Sequence, residues 1–153
     1  MALELMVESW SSLWPDAEPL MQQHHLDVVG LDPREPFDPD IEGIEASDAA
    51  GTLLITSARF DGQLAGYCIW YIARNVESKG LWIGIAGPWY VVAEHRAGGL
   101  GIRLFKFSLT ELRSRGIAQA YPHHWFSGGG ERLGDLYERL GAKRCEVTFK
   151  LWL

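Results

Sequence analysis

The stretch YVVAEHRAGGLGIRLFKFSLTEL, residues 90–112, sets β-forming residues, a glycine turn and an amphipathic run in direct succession. That order reads as strand, tight turn, helix. Glycines at 98, 99 and 101 strip the turn of side chains, so its backbone can approach a ligand with several N–H groups pointing outward at the helix N-terminus. Such groups, with the positive end of the helix dipole, favour an anion by at most about 2 kcal/mol. Arg96, Arg103 and Lys106 add positive charge, and residues 94–115 hold five bases against two acids. A P-loop would need Gly-Lys followed by Ser or Thr, which does not occur, and a dinucleotide fingerprint would need a third glycine after Gly99 and Gly101. Spacing alone leaves two readings, a phosphate cradle and a turn that uses glycine only for its geometry.

Upstream of this unit the pattern is β. Residues 52–60 are rich in apolar and β-branched side chains, Asp61-Gly62 is the pair that favours a tight hairpin, and residues 63–73 alternate again. A third strand, 81–92, is interrupted by Gly84, Gly87 and Pro88, which in a strand mark a bulge or a close backbone approach. Before the hairpin, Ser9 or Ser11 caps a helix with Trp10, Leu13 and Trp14 on its apolar face, and a second helical stretch runs from Pro15 to His25. A Pro/Asp-rich linker, 31–40, leads to a short helix at 41–47. Downstream, the glycine-turn helix places Leu104, Phe105, Ser108, Leu109 and Leu112 on one face and ends at Gly116. A strand at 117–124, a helix at 131–140 stopped by Gly141, and a final strand at 142–153 complete the order. Antiparallel pairing followed by helix crossovers predicts an α+β fold with a mixed, mostly antiparallel sheet flanked by helices.

The chain has 153 residues, which bounds it to one domain with a real core. It contains no apolar run of the roughly 18 residues a membrane span needs, and its acidic N-terminus lacks the basic region that opens a secretory signal. A cytoplasmic location without membrane association is the expectation. Cys68 and Cys145 lie in strand-like segments and read as buried free thiols. A net charge of −6 argues against a nucleic-acid partner. The distribution is uneven: residues 1–50 carry twelve acids against Arg34 alone, a balance of −11, and residues 51–153 carry thirteen bases against eight acids, a balance of +5.

His123 and His124 close the strand that follows the glycine helix, and a neutral imidazole there can take a proton directly or through water. Adjacent strand residues face opposite sides, so at most one enters a given cleft; surface or packing histidines are the alternative. Pro122, just before them, cannot donate to a ladder and suits a place where two strands part. His24-His25 has no Cys or carboxylate at ligand spacing and reads as a solvated helix end, so no metal is expected.

With Arg96, Gly99 and Gly101 at the spacing Arg or Gln, two residues, Gly, one residue, Gly or Ala, after a strand ending YVVAE, the chain resembles the GNAT family of N-acetyltransferases. About 35 residues on, LYERLGA at 136–142 is similar to the family's helix ending in Tyr, two residues, Leu-Gly. The resemblance covers residues 51–153 in element order, and the first 50 match in being two helices; among members, the chain looks most like the short acetyltransferases often encoded by phages.

The resemblance implies a bulged, splayed central strand pair and a single acyl-CoA-binding domain over 1–153, with acceptor-side helices at 1–50 and the sheet and cofactor core at 51–153. It implies acetyl-CoA as acyl donor, with the pyrophosphate on Arg96, Ala97, Gly98, Gly99, Leu100, Gly101 and Ile102, and the pantetheine arm paired to the strand end at Val91 and Val92. A neutral amine attacks the thioester in a ternary complex, Tyr137 protonates the leaving thiolate, and His124 or His123 is the candidate base. Core packing beside Leu133, Leu136 and Leu140 is the other reading of Tyr137. Glu94 stands where the family carries an acid beside the loop and reads as a cap. The acidic first helices would attract a cationic acceptor: a polyamine, a lysine side chain, a peptide N-terminus or an aminoglycoside.

Two departures stand out. The run Ser127-Gly128-Gly129-Gly130 replaces an asparagine common ahead of the last helix, and the usual final hairpin is compressed into 143–153, leaving the acceptor side more open or completed by a second copy in a homodimer. A catalytically silent CoA-binding module acting on a partner protein is the alternative to the enzyme.

Overall fold

Asp61 and Gly62 both adopt positive φ, 48° and 85°, the combination of a type I′ turn whose twist matches that of the strands it joins. It connects β2 (Leu53–Phe60) to β3 (Gln63–Arg74) in the computed structural model, which describes residues 2–125 and 130–153. Seven consecutive residues in each strand are buried, because helices cover both faces of the sheet at this point. Burial on both sides explains the near-continuous apolar composition.

The sheet has the order β1-β2-β3-β4-β5. β4 (Trp82–Val91) runs antiparallel to β3, and β5 (Gln119–Tyr121) returns parallel to β4 after the crossover helix α3 (Leu100–Ser114). The edge strand β1 (Leu3–Val7) pairs antiparallel with β2, from Leu3 opposite Phe60 to Val7 opposite Thr56. This strand has no counterpart in the order read from sequence, which begins with the helix capped at Ser9 or Ser11 and gives residues 3–7 no element: Leu-Glu-Leu-Met is neutral to helix-favouring, and pairing with β2 overrides that preference.

One face of the sheet carries α1 (Trp10–Val28) and α2 (Ile41–Ala49). Ser9 caps α1 by accepting the Ser12 N–H at 3.2 Å. The helix runs unbroken through Pro15 and Pro19, where two stretches were expected. Trp10, Leu13, Ala17 and Met21 form its buried stripe against Leu53, Ile55, Tyr67 and Ile69, and this burial offsets the helical bonds the prolines remove. Asp40 caps α2 through the Gly43 N–H, and Asp48 accepts the Trp10 N–H at 2.7 Å, docking α2 on the start of α1.

The other face packs on α3 through Leu104, Phe105, Ser108 and Leu112. Ser108 Oγ accepts from Trp70 Nε1 at 3.0 Å and donates to the Phe105 carbonyl at 2.8 Å. Burial pushes the neighbouring Cys68 thiol up to about 12. Cys145, expected to be buried as well, is exposed.

By contacts the chain divides into residues 1–121 and 122–153. The second unit holds α4 (Gly130–Arg139). Residues 142–153 form no strand and are largely exposed, contrary to the expected final strand. Their alternation suits a strand, but among the described residues no neighbour pairs with it, and a lone strand leaves its N–H and C=O groups to water. Of the Ser-Gly-Gly-Gly run, residues 127–129 lie outside the described residues. No helix among the described residues is long and apolar enough to cross a membrane.

Candidate active site

β4 shapes the site. Between Cys68 and Trp70 of β3 the register jumps from Trp89 to Ala86, so β4 carries an extra residue at Gly87-Pro88, the bulge its sequence announced. On its other edge β4 meets β5 only from Ile83 to Ile85, opposite Gln119 to Tyr121. Among the described residues, Ala86 to Val91 therefore presents an edge without a strand. The Val92 N–H turns toward β3 and donates to Ala65 at 3.0 Å. Alternation along the strand then turns the peptide groups of Val91 to the open edge.

A short 3-10 turn, Ala93–His95, leads from this edge to α3. Gly99 caps α3 with φ of 72°, a conformation that a side chain would strain by about 1 kcal/mol. Among the described residues no side chain caps the helix. Its first bond runs from the Arg103 N–H to the Gly99 carbonyl at 3.1 Å, so the N–H groups of Leu100, Gly101 and Ile102 are outside the helical ladder. The three turn glycines differ in their reasons. Gly99 is conformational, and Gly101 is steric, because a Cβ there would come within 3.4 Å of the Trp89 ring. A Cβ on Gly98 would have no closer neighbour than the His95 carbonyl at 4.0 Å.

Arg96 reaches back along the turn. Its Nε–H donates to the Val91 carbonyl at 2.8 Å and its guanidinium lies over the Tyr90 ring at 5.2 Å. Leu100 is buried, while Ala97, Gly98 and Ile102 face solvent. Glu94, expected to cap, is exposed and caps neither the turn nor α3.

His24 is the residue that sequence reasoning misplaced. It is half-buried, not solvated: its Nδ1 lies 3.3 Å from the Tyr67 hydroxyl and its ring centroid 5.2 Å from that of Tyr90. Tyr67 is fully buried and burial holds its phenol well above the ordinary range, so it stays a donor and the neutral imidazole accepts. His24 continues the stripe 10, 13, 17, 21, and that spacing was the available signal. His25 is held too, with Nε2 donating to the Glu35 carbonyl at 2.9 Å. Among the described residues no cluster of three metal-ligating side chains occurs.

Desolvation, chiefly, and then the nearby Arg96 and His25 charges hold the His24 pKa below the ordinary imidazole value, with Asp27 opposing. The unfolded imidazole titrates near about 6.5, above the folded one, so His24 contributes stability above that pH and loses it as pH falls through the folded pKa. Melting temperature should thus drop as pH falls below about 6.5, and less steeply in His24→Gln, which keeps an acceptor for Tyr67. Parallel pH profiles of the two proteins would contradict this.

The remaining site residues lie in 122–153. Tyr137 of α4 is buried and its hydroxyl donates to the His123 carbonyl at 3.1 Å. His123 is exposed, with partial desolvation and the adjacent His124 lowering its pKa. His124 Nδ1 donates to the Trp125 carbonyl at 3.0 Å, which leaves Nε2 as the unprotonated nitrogen of the neutral ring. Gly134 of α4 makes room for that ring, since a Cβ there would stand 3.0 Å from His124 Nε2. Thus Val91, Val92 and the turn residues come together in one unit, and Tyr137, His123 and His124 in the other.

A model of the acetyltransferase (GNAT) family matches residues 3–142. The chain belongs to the GNAT acetyltransferase family. Solved structures similar to this GNAT protein include a ribosomal-protein-alanine N-acetyltransferase from Brucella melitensis biovar Abortus 2308, at 19% identity, 99% coverage of both chains and a TM-score of 0.73. An aminoglycoside acetyltransferase from an uncultured soil metagenomic sample is similar at 16% identity, over 100% of this chain and 99% of that one, with a TM-score of 0.74. A predicted acetyltransferase from Clostridium acetobutylicum, solved with acetyl-CoA, is similar at 13% identity, over 98% and 96%, with a TM-score of 0.71. No curated protein matches the sequence. The GNAT fold, with its open, mostly antiparallel five-stranded sheet, is thereby shown, and the acceptor is left to the site.

Proposed function

We propose that this GNAT protein transfers an acetyl group from acetyl-CoA to a primary amine by direct attack in a ternary complex. The observation that carries the reading is that, among the described residues, β4 has an edge without a strand that runs into a helix N-terminus with three N–H groups outside the helical ladder. That arrangement suits a donor with an extended amide arm and a pyrophosphate: the edge at Val91 and Val92 for the arm, and the turn Arg96, Ala97, Gly98, Gly99, Leu100, Gly101 and Ile102 for the phosphates. Because the Val91 carbonyl already accepts from Arg96, the Val91 N–H is the group with most to offer the arm.

In this reading residues 1–153 act as one acyl-CoA-binding domain, in the cytoplasm, on a small-molecule or protein amine. The neutral amine attacks the thioester carbonyl, the thiolate leaves, and Tyr137 donates its phenolic proton to the sulfur. A phenol suits that task because it stays protonated at pH 7 yet donates as negative charge develops. His124, through Nε2, or His123 takes the proton the amine sheds.

Acetyl-CoA at a hundredfold excess over Kd should stabilise the protein by about 2.7 kcal/mol, raising the melting temperature by roughly 5–11 °C for a chain of this size. An amine panel then reads turnover. No shift at millimolar acetyl-CoA would defeat the proposal, and a shift without turnover on any amine would favour a silent CoA-binding module.

A further inference from the structure

Tyr71 of β3 stands opposite Ile85 of β4, and Ile85 opposite Tyr121 of β5. Leu53 of β2 begins the same row. Directly paired residues share a face of the sheet, and Leu53 places this row on the face of α1 and α2. The helices cover only its start: Leu53 is 3% exposed, but Tyr71 is 48% and Ile85 40% exposed. The next row on that face, Ala73, Ile83 and Gln119, carries no charge either. Three strands thus present an uncharged, partly aromatic shelf on the β3–β5 side of the sheet.

Gly87 fixes the position of the shelf relative to the chemistry. A Cβ at Gly87 would come within 2.8 Å of Tyr71 Cε2 and 3.1 Å of the Ile69 carbonyl, so the Tyr71 ring lies against bare backbone. Gly87 belongs to the β4 bulge, immediately beyond the last β4–β5 pair, where the open edge begins. Whatever rests on Tyr71 and Ile85 therefore borders the far end of the open edge whose near end, at Val91 and Val92, is assigned above to the donor's arm, so an arm running from the turn along β4 carries its thioester toward the shelf, and this continuity points to the acyl acceptor as the occupant.

We propose that Tyr71, Ile85 and Tyr121 form the acceptor platform, and that it selects a primary amine joined by a short link to an aromatic or branched apolar group. The inference rests on the acetyl-transfer reading and narrows its acceptor. A polyamine or an aminoglycoside brings several ammonium groups that need carboxylates, and the two rows supply none. A monoamine needs only to lose one proton. An apolar floor helps that loss, because desolvation disfavours the ammonium and leaves the neutral amine that attacks. The −11 balance of residues 1–50 then acts at longer range, drawing in any cationic amine without setting its side group.

The test compares phenethylamine and tryptamine with spermidine and kanamycin at saturating acetyl-CoA, on the full chain. The expected result is a kcat/KM at least about tenfold higher for the two arylalkylamines, falling about tenfold or more in Tyr71→Ala and retained in Tyr71→Phe. The acetyl-CoA-induced melting shift should be the same in all three proteins. Preference for spermidine or kanamycin overturns the platform while leaving acetyl transfer intact, as does discrimination unchanged by Tyr71→Ala. Loss of self-association in Tyr71→Asp with unaltered rates in Tyr71→Ala would make the shelf a contact between copies and likewise overturn it. Absence of both the melting shift and transfer to every amine overturns the acetyl-transfer reading with it.

Discussion

Tyr137→Phe should bind acetyl-CoA with wild-type affinity and acylate amines about 10²- to 10⁴-fold more slowly, the range a positioned general acid contributes. The phenylalanine keeps the ring in the buried environment that α4 provides and removes only the hydroxyl. That hydroxyl also donates to the His123 carbonyl, so the variant loses one hydrogen bond, worth about 1 kcal/mol of stability. The two consequences are separable. A purely structural Tyr137 would show the small drop in melting temperature with kcat unchanged. The proposed acid would show the fall in kcat at undiminished acetyl-CoA binding. A wild-type kcat in the variant would end the assignment.

Glu8→Ala should be the most destabilising single substitution outside the apolar core, at about 3–5 kcal/mol, because it leaves the buried Arg59 guanidinium with only the half-exposed Asp16 as counter-charge. Glu8 follows β1 and precedes the cap of α1. Its carboxylate takes Arg59 Nε at 2.6 Å and the second guanidinium nitrogen at 3.0 Å, and accepts from Ser57 and Ser12. The side chains of Glu8 and Arg59 are 4% and 11% exposed. Arg59 also holds Asp16 of α1 at 2.7 Å and the Gly62 carbonyl at 2.9 Å, so one network ties β1, β2, α1 and the hairpin turn. At about 2–4 °C per kcal/mol the melting temperature should fall by roughly 6–20 °C. Replacing the pair together, Glu8→Leu with Arg59→Met, should cost less than Glu8→Ala alone, since no buried charge is left without its partner and Asp16 is half-exposed. A drop under about 2 °C for Glu8→Ala would refute this account.

The same network sets an acid limit. Burial alone would raise the Glu8 pKa, but the hydrogen bonds from Arg59 and Ser57 outweigh it and the net direction is down. Its contribution is therefore complete above the ordinary carboxylate range and lost as pH falls through the lowered value.

Features governed by local chemistry were legible in the sequence. Asp61-Gly62 announced the hairpin because both residues must take positive φ there, and Gly87-Pro88 announced the bulge. The glycine turn could be read because only bare backbone gives Gly99 its conformation and Gly101 its clearance from Trp89. Features that depend on a distant partner were not legible. Leu3–Val7 is a strand because β2 lies alongside, whereas 142–153 has the alternation of a strand and no described partner. His24 beside His25 looked like polar surface until Tyr67 and Tyr90 were brought against it from strands more than 40 residues away. Glu94 looked like a cap by position, but it lies five residues before Gly99 with its side chain exposed, and no side-chain cap bond is made at the start of α3 among the described residues.

The bond from Arg96 to Val91, with the Tyr90 ring beneath the guanidinium, closes the 3-10 turn at residues 93–95. Such a brace fixes the backbone of residues 91–96 when the chain folds. The entropy of ordering those residues is then lost before any donor arrives, and association need not supply it again. If the acetyl-transfer reading holds, discrimination between donors would fall to the thioester end, where the acyl chain meets the open strand edge.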